Sequence, residues 1–483
     1  MGKVIIYQML PRLWGNIGGK NIKNGTLKDN GCGKFSSIDT ISLEYLRSLG
    51  VSHVWYTGII RHATAEDSAG CTPSSSDWVK GRAGSPYSIT DYYDVNPYLA
   101  DEPENRMEEF HKLVERTHAA GLKVIIDFVP NHVARDYGRF AAAHPAPTGM
   151  AALGESDDKS VHWKDSNDFF YYPGIPLALP IQNQTYMEMP AMASGNSYTS
   201  SPGVNDWYDT IKLNYCDTHT ETWEKMYDIV NFWAGQGVDG FRCDMVELVP
   251  PAFFKWLISR IKKDRPDLLF VAEVYQKTLY SKYIREIDFD LLYDKSGIYD
   301  TLRAIVEKNA KDSGVPVEDW QSAKRITWNW QSLGDLQPYM LNFLENHDEQ
   351  RFASDFFGCD ARNSYAALYT ALYLNNAPFM LYAGEEVGER GMDNEGFSGR
   401  DGRTSIFDWW APSSLTRLYK YIHGEKEALA PEEETMLDTY RKALKFAAED
   451  NAVSKGTFYD LCYCNYASDG FNPDRHFAFL RDF

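Results

Sequence analysis

Four short apolar runs in this sequence end in side chains able to move protons. One closes with Asp127 and continues to Asn131 and His132. Another closes with Arg242 and Asp244, a third ends in Glu273, and a fourth runs into Glu345, Asn346, His347 and Asp348. A single carboxylate at such a place is ordinarily a cap or one half of a salt bridge, but several converging on one mouth would form a shared acidic site. Burying them together raises the pKa of at least one carboxyl group, while a neighbouring arginine keeps another ionised. That division suits hydrolysis of a glycosidic bond, in which one carboxyl group protonates the leaving oxygen and a second attacks the anomeric carbon or activates water. Arg242 stands two residues before Asp244, so on a strand both side chains point to one face. Its guanidinium would hold Asp244 as an anion. Glu273 follows Phe270, Val271 and Ala272, a more apolar setting that suits the protonated acid.

Such side chains need a frame that gathers strand ends. A unit recurs along the chain: a helical stretch, a glycine, then a β-branched run ending in polar residues. Its copies are Leu49-Gly50-Val51 before His53-Val54-Trp55, Ala120-Gly121-Leu122 before 123–128, and Gln236-Gly237-Val238 before 239–244. Glycine just past a helix is a C-cap, and near-continuous apolar strands belong to a parallel sheet covered on both faces. Further strands at 4–9, 269–273, 289–293, 340–345 and 379–382 bring the total to eight, with helices at 103–120, 220–234, 251–263 and 362–374 near the 3.6-residue period. This alternation predicts an α/β fold, a (β/α)₈ TIM barrel over 1–132 and 214–450, with catalytic groups at the C-terminal strand ends. Residues 133–213 are rich in Pro, Gly, Ser and Asn and too long for a loop, so they read as a domain inserted after the third strand. The last segment, 451–483, reads as two strands, 457–466 and 476–483, around the turn residues Asp469-Gly470 and Asn472-Pro473. Two strands alone are marginally stable. Either they pack on the barrel or they begin a C-terminal β domain that the chain leaves incomplete, and the second is expected.

Composition narrows the partners. The net charge of −19 repels both a phosphate backbone and an anionic lipid surface, which excludes nucleic acid as a natural ligand. No apolar run reaches the roughly 20 residues of a membrane span. The seven cysteines are odd in number and scattered, unlike a disulfide framework. Cys462 and Cys464 alternate as on one strand face and read as packed thiols rather than a metal pair. The opening residues lack the apolar region of a signal peptide, which leaves the compartment open because a processed exported chain would look the same. The aromatic share of 14% hints at carbohydrate, whose C–H faces stack on such rings, although aromatics also fill ordinary cores.

DFVPNH (127–132), GFRCD (240–244), AEVY (272–275) and ENHD (345–348) resemble, in order, the four signature regions of the alpha-amylase family, glycoside hydrolase family 13. SPYSITDYYDVNP (85–97) and APFMLYAGEE (377–386) resemble its second-strand loop and eighth strand, so the match spans nearly the whole chain. The resemblance implies a retaining hydrolase of α-glucosidic bonds in starch-like glucans or malto-oligosaccharides. It makes Asp244 the nucleophile, Glu273 the general acid/base and Asp348 the stabiliser of the oxocarbenium-like transition state. It also implies that His132 and His347 hydrogen-bond the sugar, that Arg242 orients Asp244, that Asp127 braces Arg242, and that Tyr87 is the stacking platform. RDGRTSIFDW (400–409) resembles the loop that binds the neighbouring glucose, which would use Asp401 and Arg403.

Two departures bear on activity. Endo-acting members carry Lys-His three and four residues after the nucleophile, where this chain has Glu247 and Leu248, which points away from endo action on long starch. The string that supplies an aspartate to a structural calcium is matched by residues 210–214, with Lys212 in its place, and an ammonium there would replace the cation. Asn131 and the Asp29-Asn30-Gly31 loop remain candidate ligands, but no cofactor or metal is expected to be required. Rival readings are an α-glucan transglycosylase or exo-acting α-glucosidase, a catalytically silent glycan-binding relative, and a metal-dependent hydrolase using Asp127, His132, His347 and Asp348. A monomer acting on α-glucan is expected.

Overall fold

A computed structural model of the chain describes residues 2–67, 70–216, 218–311 and 317–483. Eight strands close into a parallel barrel: β1 (Ile5–Met9), β2 (His53–Tyr56), β3 (Lys123–Phe128), β4 (Gly240–Cys243), β5 (Leu269–Ala272), β6 (Leu291–Tyr293), β7 (Met340–Phe343) and β8 (Phe379–Tyr382). Each pairs with its neighbours in sequence, and β8 returns to β1 with Ile5 opposite Phe379. Every expected barrel strand is present within about two residues. The glycines of the three recurrent units, Gly50, Gly121 and Gly237, all have positive φ, the left-handed geometry that ends a helix and aims the chain into the next strand.

Helices cover the outside: α1 (Thr40–Ser48), α2 (Arg106–Ala119), α3 (Glu221–Gly235), α4 (Pro251–Asp264), α5 (Tyr280–Arg285), α6 (Asp300–Lys311), α7 (Lys324–Leu333), α8 (Ser364–Tyr373), α9 (Ser413–Ile422) and α10 (Pro431–Glu449). Their buried stripes follow the helical period, as in α2 with Phe110, Leu113, Val114 and Thr117 inward. No helix among the described residues is long and apolar enough to cross a membrane.

The excursion after β3 holds little regular structure. His132–Ala134 pairs antiparallel with Thr210–Lys212, and Tyr171–Tyr172 with Ala191–Met192. Its small core takes Leu177, Leu179, Ala191 and Tyr208 from the insertion and Trp78 and Val79 from the loop after β2. Asp168 ties the insertion to α3, accepting from Lys225 Nζ at 2.7 Å and Thr222 Oγ1 at 2.7 Å.

At the C-terminal end, β9 (Thr457–Asp460) and β10 (Phe479–Asp482) form a hairpin that packs on a barrel helix, with Phe458 and Trp330 of α7 4.6 Å apart between ring centroids. Both strands are shorter than expected. Residues Cys462–Asn465 make a helical turn instead, because Asp460 Oδ1 captures the Cys462 N–H at 2.7 Å and starts it. Cys462 is therefore buried and Cys464 exposed, which corrects the expectation of two thiols on one strand face. None of the seven cysteines is in a disulfide.

Candidate active site

The register of the barrel places the acidic groups. Asp127 of β3 lies directly opposite Arg242 of β4, and Cys243 opposite Ala272 of β5. The residues one step further, Asp244 and Glu273, leave adjacent strands at the same height, their amides bonded to Phe128 O at 2.9 Å and Cys243 O at 3.2 Å.

Arg242 joins all three carboxylates. Its Nη1 is 2.6 Å from Asp244 Oδ1 and 3.7 Å from Asp127 Oδ1, and its Nη2 is 2.8 Å from Glu273 Oε2. The guanidinium is walled by aromatic rings, with Tyr87, Trp55 and Tyr293 centroids at 5.2, 5.5 and 5.6 Å. Glu273 also accepts from the Met245 amide at 2.8 Å and from Tyr275 Oη. The surroundings of Glu273 are thus more polar than its sequence neighbours suggest, and Arg242, expected to orient Asp244 with Asp127 bracing it, is shared with Glu273 as well. Burial pushes both carboxyl groups up, and the Arg242 charge opposes that shift. Asp127 is pushed up to about 7 by burial, again against Arg242, and accepts from Trp55 Nε1 at 3.2 Å and the Gly58 amide at 3.3 Å.

These groups floor a cavity of about 290 Å³ lined by Tyr87, His132, Asp244, Glu273 and Asp348. Asp127, Arg242 and His347 stand immediately behind it. His347 lies in contact with Tyr87 rather than in the cavity wall, its Nδ1 facing the Gln8 amide at 2.8 Å and its Nε2 facing Tyr87 Oη at 2.5 Å. Since the Gln8 NH₂ can only donate, Nδ1 accepts and Nε2 carries the proton. Burial pushes both His132 and His347 down to about 3, so both rings are neutral. Asp401 and Arg403 lie outside the cavity lining. They pair with each other at 2.8 Å, and Arg403 Nε donates to the Asp348 carbonyl at 2.6 Å. Glu345 faces away from the site, paired with Arg351 at 2.9 Å, and Asn346 Oδ1 shapes the loop by accepting from the amides of Asp348 and Glu349.

The sequence reading passed over several members. Gln8, Trp55 and Tyr293 end or nearly end β1, β2 and β6, so the strand-end rule already pointed at them. Tyr275 lies within the AEVY string. Lys80, Trp207 and Asp209 also line the cavity, but they come from loops with no local signal.

Lys212 is buried on the flank of the site. Its Nζ donates to Asn131 Oδ1 and to the Leu248 carbonyl at 2.8 Å, and lies 5.4 Å from the centroid of Tyr198. Asn131 also donates to the Gly195 carbonyl at 2.9 Å. Among the described residues one carboxylate and imidazole cluster has the spacing of metal ligands, Asp91, Asp94 and His144, but Asp94 is already neutralised by Arg61 at 2.9 Å and Arg106 at 2.7 Å.

Known proteins agree with this architecture. The chain is 23% identical over 400 residues to a cyclomaltodextrin glucanotransferase of Geobacillus stearothermophilus, covering 79% of this chain and 49% of that protein. It is 24% identical over 352 residues to neopullulanase 2 of Thermoactinomyces vulgaris, covering 72% and 48%. The chain thus spans about half the length of these curated relatives. Among solved structures, an alpha-amylase from H. orenii superposes with a TM-score of 0.63 at 22% identity, covering 100% of this chain and 87% of the other. The family profile described as alpha amylase, catalytic domain, matches residues 24–457. With most of its length inside that profile, the chain belongs to the alpha-amylase catalytic-domain family.

Proposed function

We propose that this protein is a retaining glycoside hydrolase that cleaves α-glucosidic bonds of starch-like glucans or malto-oligosaccharides. One observation carries the reading: a single buried guanidinium binds both Asp244 and Glu273 at the floor of a cavity that Asp348 also enters. Two carboxyl groups on the two η nitrogens of one arginine are close together, as the covalent route requires. Glu273 gives its proton to the glycosidic oxygen while an Asp244 oxygen forms a bond to the anomeric carbon, and the C–O bond to the leaving sugar breaks. Water then gives a proton to Glu273 and attacks the same carbon, which frees Asp244. Asp348, which also lines the cavity, opposes the positive charge that develops on the ring. Tyr87 offers its ring to the sugar, and the neutral His132 offers a hydrogen bond.

A sugar hydroxyl in place of water gives transfer instead of hydrolysis, and the glucanotransferase among the relatives supports keeping that outcome in the assay. The Lys212 side chain joins Asn131 to the Leu248 carbonyl, which supports reading this site as independent of a metal. Asp244→Asn and Glu273→Gln should each lower turnover of maltoheptaose by on the order of 10³-fold or more with the far-UV circular dichroism unchanged. The first product seen by NMR should be the α anomer. Wild-type-like turnover in either variant, or a β product, would refute the mechanism.

A further inference from the structure

One side of the cavity is bounded by loops tied to one another. After β2, residues 77–83 cross the mouth and are fastened at both ends. Lys80 Nζ reaches the insertion, 3.2 Å from Asp209 Oδ1 and donating to the Asp206 carbonyl at 3.1 Å. Asp77 Oδ2 accepts from the amides of Thr185 and Tyr186 at 2.5 and 2.6 Å. On the other flank the Ala83 amide donates to the Phe407 carbonyl at 2.9 Å, and the backbone at Gly81 approaches that carbonyl so closely that no Cβ fits between them. Phe407 belongs to the loop after β8, itself held by Arg12 on the Ile406 carbonyl. The loops after β8, β2 and β3 are thereby joined into one continuous wall.

The order of the barrel says which side this is. In a ring of eight strands β5 lies across from β1, and β1 sits between β8 and β2. Glu273 and Tyr275 leave β5, so the group that protonates the leaving oxygen faces the wall across the cavity. The sugar on the wall side is the one that Asp244 captures, and the leaving sugar exits on the Glu273 side.

Beside the cavity, between the insertion and the loop after β4, there is a groove. Thr210 and Met245 line the cavity, and Lys212 and Glu247, each two residues further along the same segments, line a neighbouring space of about 400 Å³ with Trp163, Tyr198 and Phe170. Trp163 and Tyr198 are 54% and 51% exposed, and they offer flat faces for pyranose stacking. The catalytic cavity itself, about 290 Å³, is at the small end of ligand pockets, which run to roughly 1,000 Å³.

Resting on the glycosidase reading above, we propose that the protein is exo-acting: it removes single glucosyl units from the non-reducing end of malto-oligosaccharides, the tied wall stopping the chain beyond the captured sugar and the Trp163/Tyr198 groove carrying the remainder. An internal bond would need a chain running through the wall.

The test uses maltoheptaose carrying a fluorophore at its reducing end, with and without an ethylidene block on the non-reducing glucose, alongside α-glucosyl fluoride. Stepwise shortening of the unblocked substrate by one glucose, with the blocked one untouched, is the expected result. Cleavage of the blocked substrate overturns exo action, and release of maltose rather than glucose overturns the removal of single units. Hydrolysis of the fluoride with neither heptaoside cut overturns the groove as the path of the remainder. No hydrolysis of any of the three removes the glycosidase reading, and this proposal falls with it.

Discussion

Tyr87 and His347 lie ring on ring, centroids 5.3 Å apart and planes 25° from parallel, and share a 2.5 Å contact between Tyr87 Oη and His347 Nε2. The same hydroxyl lies 3.2 Å from Asp127 Oδ1. With the Nε2 proton donated to it, the tyrosine passes its own proton toward Asp127, and a chain runs Gln8–His347–Tyr87–Asp127 behind the cavity. It connects β1, the loops after β2 and β7, and β3, so one phenol positions three sides of the site.

Tyr87→Phe keeps the ring and removes that link. A buried His347 N–H then loses its partner, at a cost of about 1–3 kcal/mol in stability. A lower Tm and a fall of about 10- to 100-fold in kcat/KM are expected. Thermal unfolding and steady-state assays on maltoheptaose decide it, and an unchanged variant would mean that the chain of hydrogen bonds has no role.

Glu273 must be protonated and Asp244 ionised for glycosylation, while burial pushes both carboxyl groups up against the opposing Arg242 charge. Activity should fall on the alkaline side as Glu273 loses its proton and on the acid side as Asp244 gains one, giving a bell-shaped kcat/KM profile. α-Glucosyl fluoride has a leaving group that needs little protonation. Glu273→Gln should therefore harm its glycosylation far less than that of maltoheptaose, by a margin within the roughly 10²–10⁴-fold span of general acid catalysis. Equal losses on both substrates would exclude Glu273 as the acid.

Burial pushes Lys212 down to about 7, whereas in the unfolded chain it titrates near 10.4. Between those values the unfolded state holds more protons, so this residue makes stability rise with pH, by up to about 1.4 kcal/mol per unit. Below pH 7 the lysine is charged in both states and adds no slope. Lys212→Met should lose this rise, which urea midpoints at pH 7 and 9 would reveal by comparison with wild type. Excess EGTA should leave the wild-type Tm unmoved. A parallel pH response in the two proteins would mean that Lys212 does not titrate low in the fold, and a chelator-sensitive Tm would speak against metal independence.

Much of the barrel is legible in sequence because its signals are local. A helix ends on a left-handed glycine, an apolar run follows, and a carboxylate closes it, all within about ten residues, as at Gly237 through Asp244. Strand alternation placed Arg242 and Asp244 on one face with no tertiary knowledge. The same local logic failed at Cys462 and Cys464, where one aspartate side chain, Asp460, turned an expected strand into a helical turn.

By itself, then, the sequence determined the eight strands, the inserted segment and the acidic groups at the strand ends, since period, capping and strand polarity act between near neighbours. Only the tertiary structure decided how those groups share charge and how the site is bounded. Arg242 divides itself between Asp244 and Glu273 because β4 and β5 are in register, and Lys80 meets Asp209 across 129 positions of chain because the second-strand loop and the insertion share a core. Contacts of that range depend on where whole segments pack, and no short string of residues carries that information.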